Sequence, residues 1–361
     1  MKATEILMLG IGQAGNNIVD EIAKQNRRIR AICINSSKHD MEPLTHVKEK
    51  VVLPAAGGAG RDRETAKKYL KDEIFLITDV IEEYSSLKYV HIAFSLGGGT
   101  GSGITPLLLQ VLSKTYQGRK FNLIGVLPHV DEGRKAQENA IACWKELMAI
   151  KESKNSNIGA FYLLDNNKRP YKNTINREFA TLFNKFLDIT KAHTDGVIDA
   201  TELTKLANTE GLCAIYDMNK YIDSLDVSLD DYMKDSIFVT GSTSVACLGI
   251  STPKGFDKKP IINHIAAYKD TFEGVSEDNP LMVLSGVNMT NKAVEHTYET
   301  LKYKTDILEL NREEAEKETD INLDIVIEKS KPVETVIETK SIDDLLGDGD
   351  EDSFWDDIMN M

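Results

Sequence analysis

The sequence predicts an α/β protein built on a doubly wound parallel sheet, and the order of its apolar segments is the main evidence. In the first half, short and nearly continuous apolar runs alternate with helical patterns, as expected for parallel strands covered by helices on both faces. Glycine-rich turns follow two of these runs, which is typical of a ligand-binding sheet edge. The predicted strands are residues 4–10, 29–34, 89–95, 121–127 and 159–164.

From Asn176 onward the apolar spacing is that of a helix. Phe179, Leu182, Phe183, Phe186 and Leu187 follow the i, i+3, i+4, i+7, i+8 pattern of one buried helical face. This pattern predicts a long central helix over residues 176–194, between a first domain at 1–175 and a second at 195–290. Helical stretches, a β-rich run at 236–250, a helix near 260–272 and a strand near 281–287 make the second domain a smaller α+β unit.

The C-terminal part divides into a helix and a tail. Residues 291–320 contain no Gly or Pro and are rich in Glu, Lys and Leu, which predicts a long helix within a segment at 291–340. Residues 341–361 contain eight acids and no Lys or Arg, so they are expected to form a flexible acidic tail.

Charge and composition narrow the classes of function. The formal net charge is −14, of which the tail carries −8 and the remainder −6. Direct nucleic-acid binding by the body is disfavoured, because phosphate contacts require clustered cations. No stretch approaches the roughly 20 apolar residues of a membrane span, and the four cysteines are dispersed as core thiols would be. We therefore expect a cytoplasmic protein without a membrane partner.

The first glycine turn has the spacing GxGxxG, from Gly10 through Gly12 to Gly15, between the first strand and a helix. Such a turn lets backbone N–H groups approach a phosphate at a helix N-terminus. The same spacing occurs in NAD-dependent oxidoreductases, which stay an alternative. Those enzymes usually end the second strand with an acid that binds the ribose, whereas this strand ends in Asn35.

The second glycine turn, residues 97–103, contains five glycines in seven positions directly after a predicted strand. That composition is entropically costly for a simple connection, so a ligand that approaches the backbone closely is the better explanation. Thr100 and Ser102 add hydroxyl groups at the same place.

The run GGGTGSG resembles the signature of the tubulin/FtsZ superfamily, and GIGQAGNN at residues 10–17 resembles the first nucleotide loop of the same proteins. The likeness continues loop by loop over roughly the first 205 residues. It implies a GTP-binding domain at 1–175, an activation domain at 195–290, GTP or GDP with Mg²⁺ as ligands, and head-to-tail assembly with GTP hydrolysis between subunits.

By this resemblance, residues 57–60 sense the terminal phosphate, Glu132 belongs to the ribose loop, and Asn166 and Asn184 read the guanine. The implied nucleotide contacts are Gly12, Gln13, Ala14, Asn17, Asn35, Gly57, Gly58, Ala59, Gly60, Gly97, Gly98, Gly99, Thr100, Gly101, Ser102, Glu132, Asn166 and Asn184.

Two acids three residues apart, Asp199 and Glu202, follow the predicted central helix. At this spacing on a helical turn both carboxylates face the same way, so they can orient one attacking water. The same pattern also occurs as an ordinary helix cap. The resemblance implies that these acids act on the nucleotide of the neighbouring subunit, with Thr100 as a third catalytic residue.

Within the superfamily the chain most resembles the TubZ group, whose filaments move plasmid or phage DNA. This implies a DNA-binding adaptor as partner, and an FtsZ-like cell-division GTPase is the alternative. The apolar side chains of the acidic tail predict a docking peptide. Its target is either that adaptor or the cations of a neighbouring subunit at Arg61, Arg63, Lys67, Lys68 and Lys71.

Overall fold

The computed structural model divides the chain into two units, Met1–Leu310 and Asn311–Met361. The first unit contains the whole β-sheet, and in the second unit residues 311–318 are helical. The structure describes residues 1–53, 58–116, 119–154, 156–191, 196–224, 227–240 and 242–318. The predicted acidic tail lies outside these ranges.

The described strands form one sheet of ten. They are β1 Ile6–Ile11, β2 Arg30–Asn35, β3 Glu49–Val52, β4 Tyr89–Ser95, β5 Phe121–Leu127, β6 Ile158–Asp165, β7 Gly211–Asp217, β8 Ser244–Thr252, β9 Ala266–Val275 and β10 Leu281–Val287. The five strands predicted in the first half correspond to β1, β2, β4, β5 and β6. Their ends shift by only one or two residues, which is within the usual uncertainty of strand boundaries.

The sheet runs in the order β3-β2-β1-β4-β5-β6-β7-β10-β8-β9. Neighbours from β3 to β7 are parallel, whereas β10 is antiparallel to both β7 and β8. Ala160 and Phe161 of β6 pair with Gly211 and Leu212 of β7, so the strands of the predicted second domain continue the first sheet. The residue boundaries given for the domains stay a prediction, because Met1–Leu310 is one compact unit.

Helices connect and cover these strands. They are α1 Gly12–Gln25, α2 Arg63–Asp72, α3 Ile74–Glu83, α4 Thr100–Thr115, α5 Arg134–Glu152, α6 Lys172–Leu187, α7 Ala200–Asn208, α8 Met218–Asp223, α9 Leu229–Lys234, α10 Lys259–His264 and α11 Glu295–Glu318. The predicted central helix is α6, which begins four residues earlier and ends seven residues earlier than predicted. The helix predicted near 260–272 is wrong beyond His264, because residues 266–275 form β9. The predicted C-terminal helix is α11.

Aromatic side chains pack α6 and α5 against the sheet. Tyr162 of β6 makes edge contacts with Phe179 and Phe183 of α6, and the adjacent Phe161 packs on Trp144 of α5. Successive strand residues point to opposite faces, so α6 and α5 cover opposite sides. Burial of each aromatic ring stabilises the folded state by about 1.5–3 kcal/mol. Together the rings hold the central helix against one face of the sheet. The predicted doubly wound fold class is confirmed.

Two further sequence expectations concern burial. All four cysteines are buried and free, as predicted for core thiols. Within the part of the chain that the structure describes, no helix has both the length and the apolar composition needed to cross a bilayer.

Candidate nucleotide-binding site

The first glycine turn joins β1 to α1 and forms one wall of a cavity. Gly12 has a left-handed φ of +72°, and a Cβ there would lie 3.0 Å from the backbone nitrogen of Gly101. No side chain caps the N-terminus of α1. The first backbone N–H groups of the helix therefore remain available to an anion, which the positive end of the helix dipole also attracts.

The second glycine turn joins β4 to α4 and packs against both neighbouring loops. A Cβ on Gly99 would lie 2.8 Å from the Cα of Arg61, and one on Gly101 would lie 3.0 Å from the carbonyl oxygen of Ile11. Close backbone packing thus requires glycine at both positions, in addition to any ligand. The hydroxyl of Thr100 lies 3.1 Å from that of Ser36.

A cavity of about 320 Å³ lies between these turns, beyond the carboxyl ends of the parallel strands. Ligands of doubly wound sheets bind at this edge, where the strand order reverses. Most of the predicted nucleotide contacts line it. They are Gly12, Gln13, Ala14, Asn35, Gly58, Ala59, Gly60, Gly97, Gly98, Gly99, Thr100, Gly101, Glu132 and Asn166.

Some predicted contacts lie elsewhere. Ser102 is fully buried and its hydroxyl donates a hydrogen bond to the carbonyl oxygen of Gly98, so it stabilises the loop from its buried side. Asn17 lies one turn beyond Gln13 on α1 and does not line the cavity. Gly57 falls outside the described residues.

Asn184 is also remote from the cavity. It follows Lys172, the first residue of α6 and a lining residue, by twelve positions, or about 18 Å along a helix. Its amide oxygen accepts a 3.0 Å hydrogen bond from Asn26, and its amide nitrogen donates to the carbonyl of Ala180 at 2.9 Å. The structure therefore does not bring this predicted base reader to the site.

Seven lining residues are not among the predicted contacts. They are Ile11, Ser36, Ser37 and Arg61, which lie within or beside the predicted loops, and Asp40, Ser95 and Lys172, which do not. Ser95 could have been found, because it is the last residue of a predicted strand at the binding edge. Lys172 precedes the apolar pattern from which the central helix was recognised. Asp40 lies five residues beyond the end of β2 in a turn that carries no distinctive motif.

The charged side chains at the cavity largely offset one another. Glu132 accepts a 2.7 Å hydrogen bond from Lys172 Nζ and lies 3.5 Å from the guanidinium of Arg61. Asp40 is the other lining acid. Binding of a polyphosphate must therefore depend largely on backbone N–H groups and helix N-termini.

Asp62 follows Arg61 directly and is the N-cap residue of α2. Its carboxylate accepts hydrogen bonds from the hydroxyl of Thr65 at 2.8 Å and from the backbone N–H of Glu64 at 3.0 Å. The hydrogen bond from Thr65 is the largest cause that lowers the pKa of Asp62. The cap fixes where the loop at 58–61 ends and the helix begins.

The acids Asp199 and Glu202 form a capping box at the start of α7. Asp199 Oδ1 accepts from the backbone N–H groups of Thr201 at 2.6 Å and Glu202 at 2.8 Å, and Glu202 Oε2 accepts from the Asp199 N–H at 2.9 Å. Asp199 is exposed and Glu202 is half-buried, and neither lines the cavity. Within one subunit, the helix-cap interpretation of this pair is therefore correct.

Helix α7 lies against the amino-terminal end of β4. The hydroxyl of its Thr204 is 3.3 Å from that of Tyr89, the first residue of β4. Ser95, the last residue of the same strand, lines the cavity. A strand of this length spans about 20 Å, so the acids and the cavity lie at opposite ends of the sheet.

A doubly wound sheet whose glycine turns and helix N-termini meet at one edge defines a nucleotide-binding protein. The model of the Tubulin/FtsZ family, GTPase domain, matches residues 5–158. The tubulin-like protein TubZ of Clostridium botulinum C phage is 35% identical over 303 residues, which are 83% of this chain and 84% of that protein. The chain belongs to the tubulin/FtsZ family of GTPases.

Solved structures match the fold over most of the chain. The tail-truncated TubZ of Clostridium botulinum phage c-st gives a TM-score of 0.76 at 33% identity, covering 84% of this chain and 99% of that one. TubZ of Bacillus thuringiensis serovar israelensis, solved as a GTPγS-form protofilament, gives 0.70 at 16% identity over 86% and 94% of the two chains. The second likeness concerns the fold alone. The resemblance to the TubZ group is confirmed.

Proposed function

We propose that this chain binds GTP in the cavity, polymerises head to tail and hydrolyses GTP to GDP and phosphate at the joint between subunits. Membership of a GTPase family supports the reaction and leaves the oxidoreductase alternative without support. The glycine turns at 12–14 and 97–101 would surround the phosphates. Glu132 and Asn166 would contact the nucleoside, as the resemblance implies.

Asn176 is a better second base reader than Asn184. It lies one helical turn after Lys172, on the same face of α6, and is half-buried. Its amide makes no hydrogen bond to any described residue, so its donor and acceptor are available to a purine edge.

Mg²⁺ fits the phosphate end of the cavity. Asp40 is a carboxylate among anion-binding loops, close to Asn35, whose amide lies 3.4 Å from it. No group of three or more metal-ligating side chains occurs among the described residues. Mg²⁺ commonly binds through one or two carboxylates together with substrate phosphates and water, and it would neutralise charge on the transferred phosphate. Asp40 would be its protein ligand.

The opposite positions of the cavity and the acids carry the proposal. Asp199 and Glu202 are separated from the cavity of their own subunit by the length of β4, about 20 Å. A hydrogen bond to an attacking water requires about 3 Å. If these acids act on GTP, they act on that of another subunit.

The capping box prepares the two acids for that role. It occupies Asp199 Oδ1 and Glu202 Oε2, whereas Asp199 Oδ2 and Glu202 Oε1 make no hydrogen bond within the described chain. Each carboxylate is thus held by one oxygen and presents the other. Two fixed acceptors side by side can orient and polarise one water molecule.

Contact between two different faces of the same molecule is heterologous, and it produces a filament where its rotation does not close a ring. GTP would fill the joint and strengthen it, and loss of the terminal phosphate would weaken it. The protofilament of the Bacillus thuringiensis relative is consistent with such assembly.

The shared site can be tested by mixing two impaired variants. Thr100→Ala lacks a hydroxyl of the nucleotide side, and we expect turnover at least about tenfold lower because a transition-state hydrogen bond is lost. Asp199→Ala lacks an acid of the opposite face. In a 1:1 co-polymer about one joint in four combines an intact nucleotide side with an intact acid side, so phosphate release should recover to about a quarter of the wild-type rate.

Two controls accompany the mixture. Each variant alone should show low turnover at the same total protein concentration, and a chain that carries both substitutions should show low turnover as well. Equal turnover of the mixture and the separate variants, in filaments that contain both by sedimentation, would contradict a site completed by the neighbouring subunit.

We further propose that the filament moves plasmid or phage DNA in the cytoplasm of a prokaryotic or phage-infected cell, through a basic DNA-binding adaptor that captures the acidic tail. The phage origin of the TubZ relative supports this setting. The alternative acceptor on a neighbouring subunit is weakened by the structure. Arg63 is buried against Glu146, and Lys67 pairs with the same carboxylate at 3.0 Å.

Truncation after Lys340 tests the role of the tail. We expect unchanged GTP binding and filament assembly but loss of co-sedimentation with DNA and the adaptor, and raised salt should mimic that loss because it screens exposed charges. If the truncated filament recruits DNA as the full chain does, the tail is only a solubilising segment.

A further inference from the structure

We propose that Asn139 is a positioning residue that holds the terminal-phosphate loop, residues 58–61, against the glycine-rich loop, residues 97–101. In this way it would set the preference of the site for GTP over GDP. The inference rests on the proposed binding of guanine nucleotides in the cavity. Asn139 itself does not line the cavity.

Asn139 lies on α5 with only 2% of its surface exposed. Its amide nitrogen donates to the carbonyl oxygens of Arg61 at 2.9 Å and Gly98 at 3.2 Å, and lies 3.4 Å from that of Gly97. An amide nitrogen carries two hydrogens, so the short contacts to Arg61 and Gly98 are the principal ones. A single buried side chain thereby joins both loops.

The orientation of this amide is fixed by chemistry. The reversed orientation would place Oδ1 against three carbonyl oxygens, none of which can donate a hydrogen. Asn139 must therefore act as a donor here, and a side chain without an N–H group cannot replace it.

The terminal-phosphate loop needs such a restraint because one of its residues has an energetically unfavourable backbone conformation. Arg61 has a φ of +64°, the only positive value at a non-glycine position among the described residues. Its Cα is also so close to Gly99 that a Cβ on Gly99 would lie 2.8 Å away. A left-handed conformation at a residue other than Gly, Asn or Asp persists where its surroundings enforce it. The carbonyl of Arg61, held by Asn139, provides that enforcement.

A second set of contacts links α5 to the segments that carry the two loops. Glu146 lies two turns after Asn139, on the same side of α5, and pairs with Arg63. Arg63 in turn donates to the carbonyl of Ser102 at 3.0 Å. Through Asn139 and Glu146, helix α5 therefore contacts both segments at two places along its length. These contacts fix how far apart the two loops lie.

This separation matters for the terminal phosphate more than for the rest of the nucleotide. By the resemblance, residues 58–60 sense the terminal phosphate. They line the cavity, and a Cβ on Gly58 would lie 3.6 Å from that of Ser37. Their N–H groups can contact a phosphate only if the loop stays within hydrogen-bond distance of it. GDP lacks this phosphate, so a displaced loop should reduce the affinity for GTP and spare that for GDP.

The experiment measures GTP and GDP affinities of Asn139→Ala and Asn139→Asp, at protein concentrations below assembly, by competition with a fluorescent GDP analogue. We expect the ratio of GTP to GDP affinity to fall at least about tenfold, since the loss of a hydrogen-bond donor to these carbonyls has an effect of that order. The GDP affinity should change less than about threefold. Asn139→Ala should fold, because its two principal hydrogen bonds, to Arg61 and Gly98, are only part-buried.

Asn122→Ala is the matched control. Asn122 is an equally buried amide on β5 that bonds to Asn208 at 2.8 Å and does not line the cavity. It should lower the unfolding temperature comparably but leave the affinity ratio unchanged. An unchanged ratio in both Asn139 variants, or an equal change in Asn122→Ala, would overturn the inference. Failure of the wild-type chain to bind guanine nucleotides would instead overturn the proposed function.

Discussion

The two ends of the sheet are built in different ways. At the carboxyl ends of the strands, the cavity is formed mainly by backbone, with five glycines in the turn at 97–103 and helix N-termini directed at one space. At the opposite end, the first turn of α7 and its N-cap carry two carboxylates, the exposed Asp199 and the half-buried Glu202. One end forms a cavity within a single subunit, whereas the other, in the proposed function, acquires a chemical role only when a second subunit is present.

The difference shows why one half-site is easy to recognise and the other is not. Backbone contact with phosphate requires glycine at particular positions, and that requirement leaves a dense motif. A pair of acids serves equally as a helix cap, and the capping box shows that it does serve as one. In the proposed function, the structural and catalytic roles would coincide here, because the cap holds the carboxylates that the neighbouring nucleotide would meet.

The largest expected effect separates these two roles at the acid end. Asparagine caps helices as well as aspartate does, so Asp199→Asn should retain stability and assembly. It removes the charge that polarises water, and GTP turnover per filament should fall at least about 100-fold. Phosphate release and light scattering on the same sample measure both quantities.

Asp199→Ala provides the comparison, because it loses the cap as well and should unfold with about 1 kcal/mol less stability. Monomeric GTP affinity should be unchanged in both variants, since the cavity of the same subunit is untouched. If Asp199→Asn filaments hydrolyse GTP at the normal rate, Asp199 and Glu202 serve only as a helix cap.

A smaller effect is expected at the nucleotide end, where two asparagines of α6 can be compared. Asn176→Ala should weaken GTP binding about tenfold and reduce discrimination against ATP by a similar factor, because one polar contact to the base is lost. Asn184→Ala, about 12 Å further along the helix, should leave nucleotide affinity unchanged, since its partners are Asn26 and Ala180.

Isothermal titration with GTP and ATP distinguishes the two positions. If Asn184→Ala weakens GTP binding and Asn176→Ala does not, the original assignment of the base reader stands. The site must then rearrange along α6 when the nucleotide binds.

Local patterns were sufficient for much of the fold. The buried strands β1, β2, β4, β5 and β6 could be predicted because parallel strands covered on both faces are continuous apolar runs. The register of α6 followed from the spacing of Phe179, Phe183 and its other apolar residues, which all proved buried. The beginning of α6 was missed because its first turn, from Lys172, is polar and carries no such pattern.

Side-chain direction was beyond the reach of the sequence. Thr100 and Ser102 stand two residues apart in the same motif, yet Thr100 lines the cavity while Ser102 is buried behind it. Lys172 and Asp40 lie far apart in the chain and carry no motif, but both reach the cavity. Contacts of this kind depend on how distant segments meet.

The sequence by itself determined the fold class, the family and the loops that surround the cavity, because each depends on periodicity or on glycine at fixed positions. Only the tertiary structure shows that α7 lies at the amino-terminal end of β4, that Asn139 joins two loops, and that Asn184 lies away from the cavity. The physical reason is that these properties depend on distances between segments remote in sequence, which arise only when the sheet and its helices pack together.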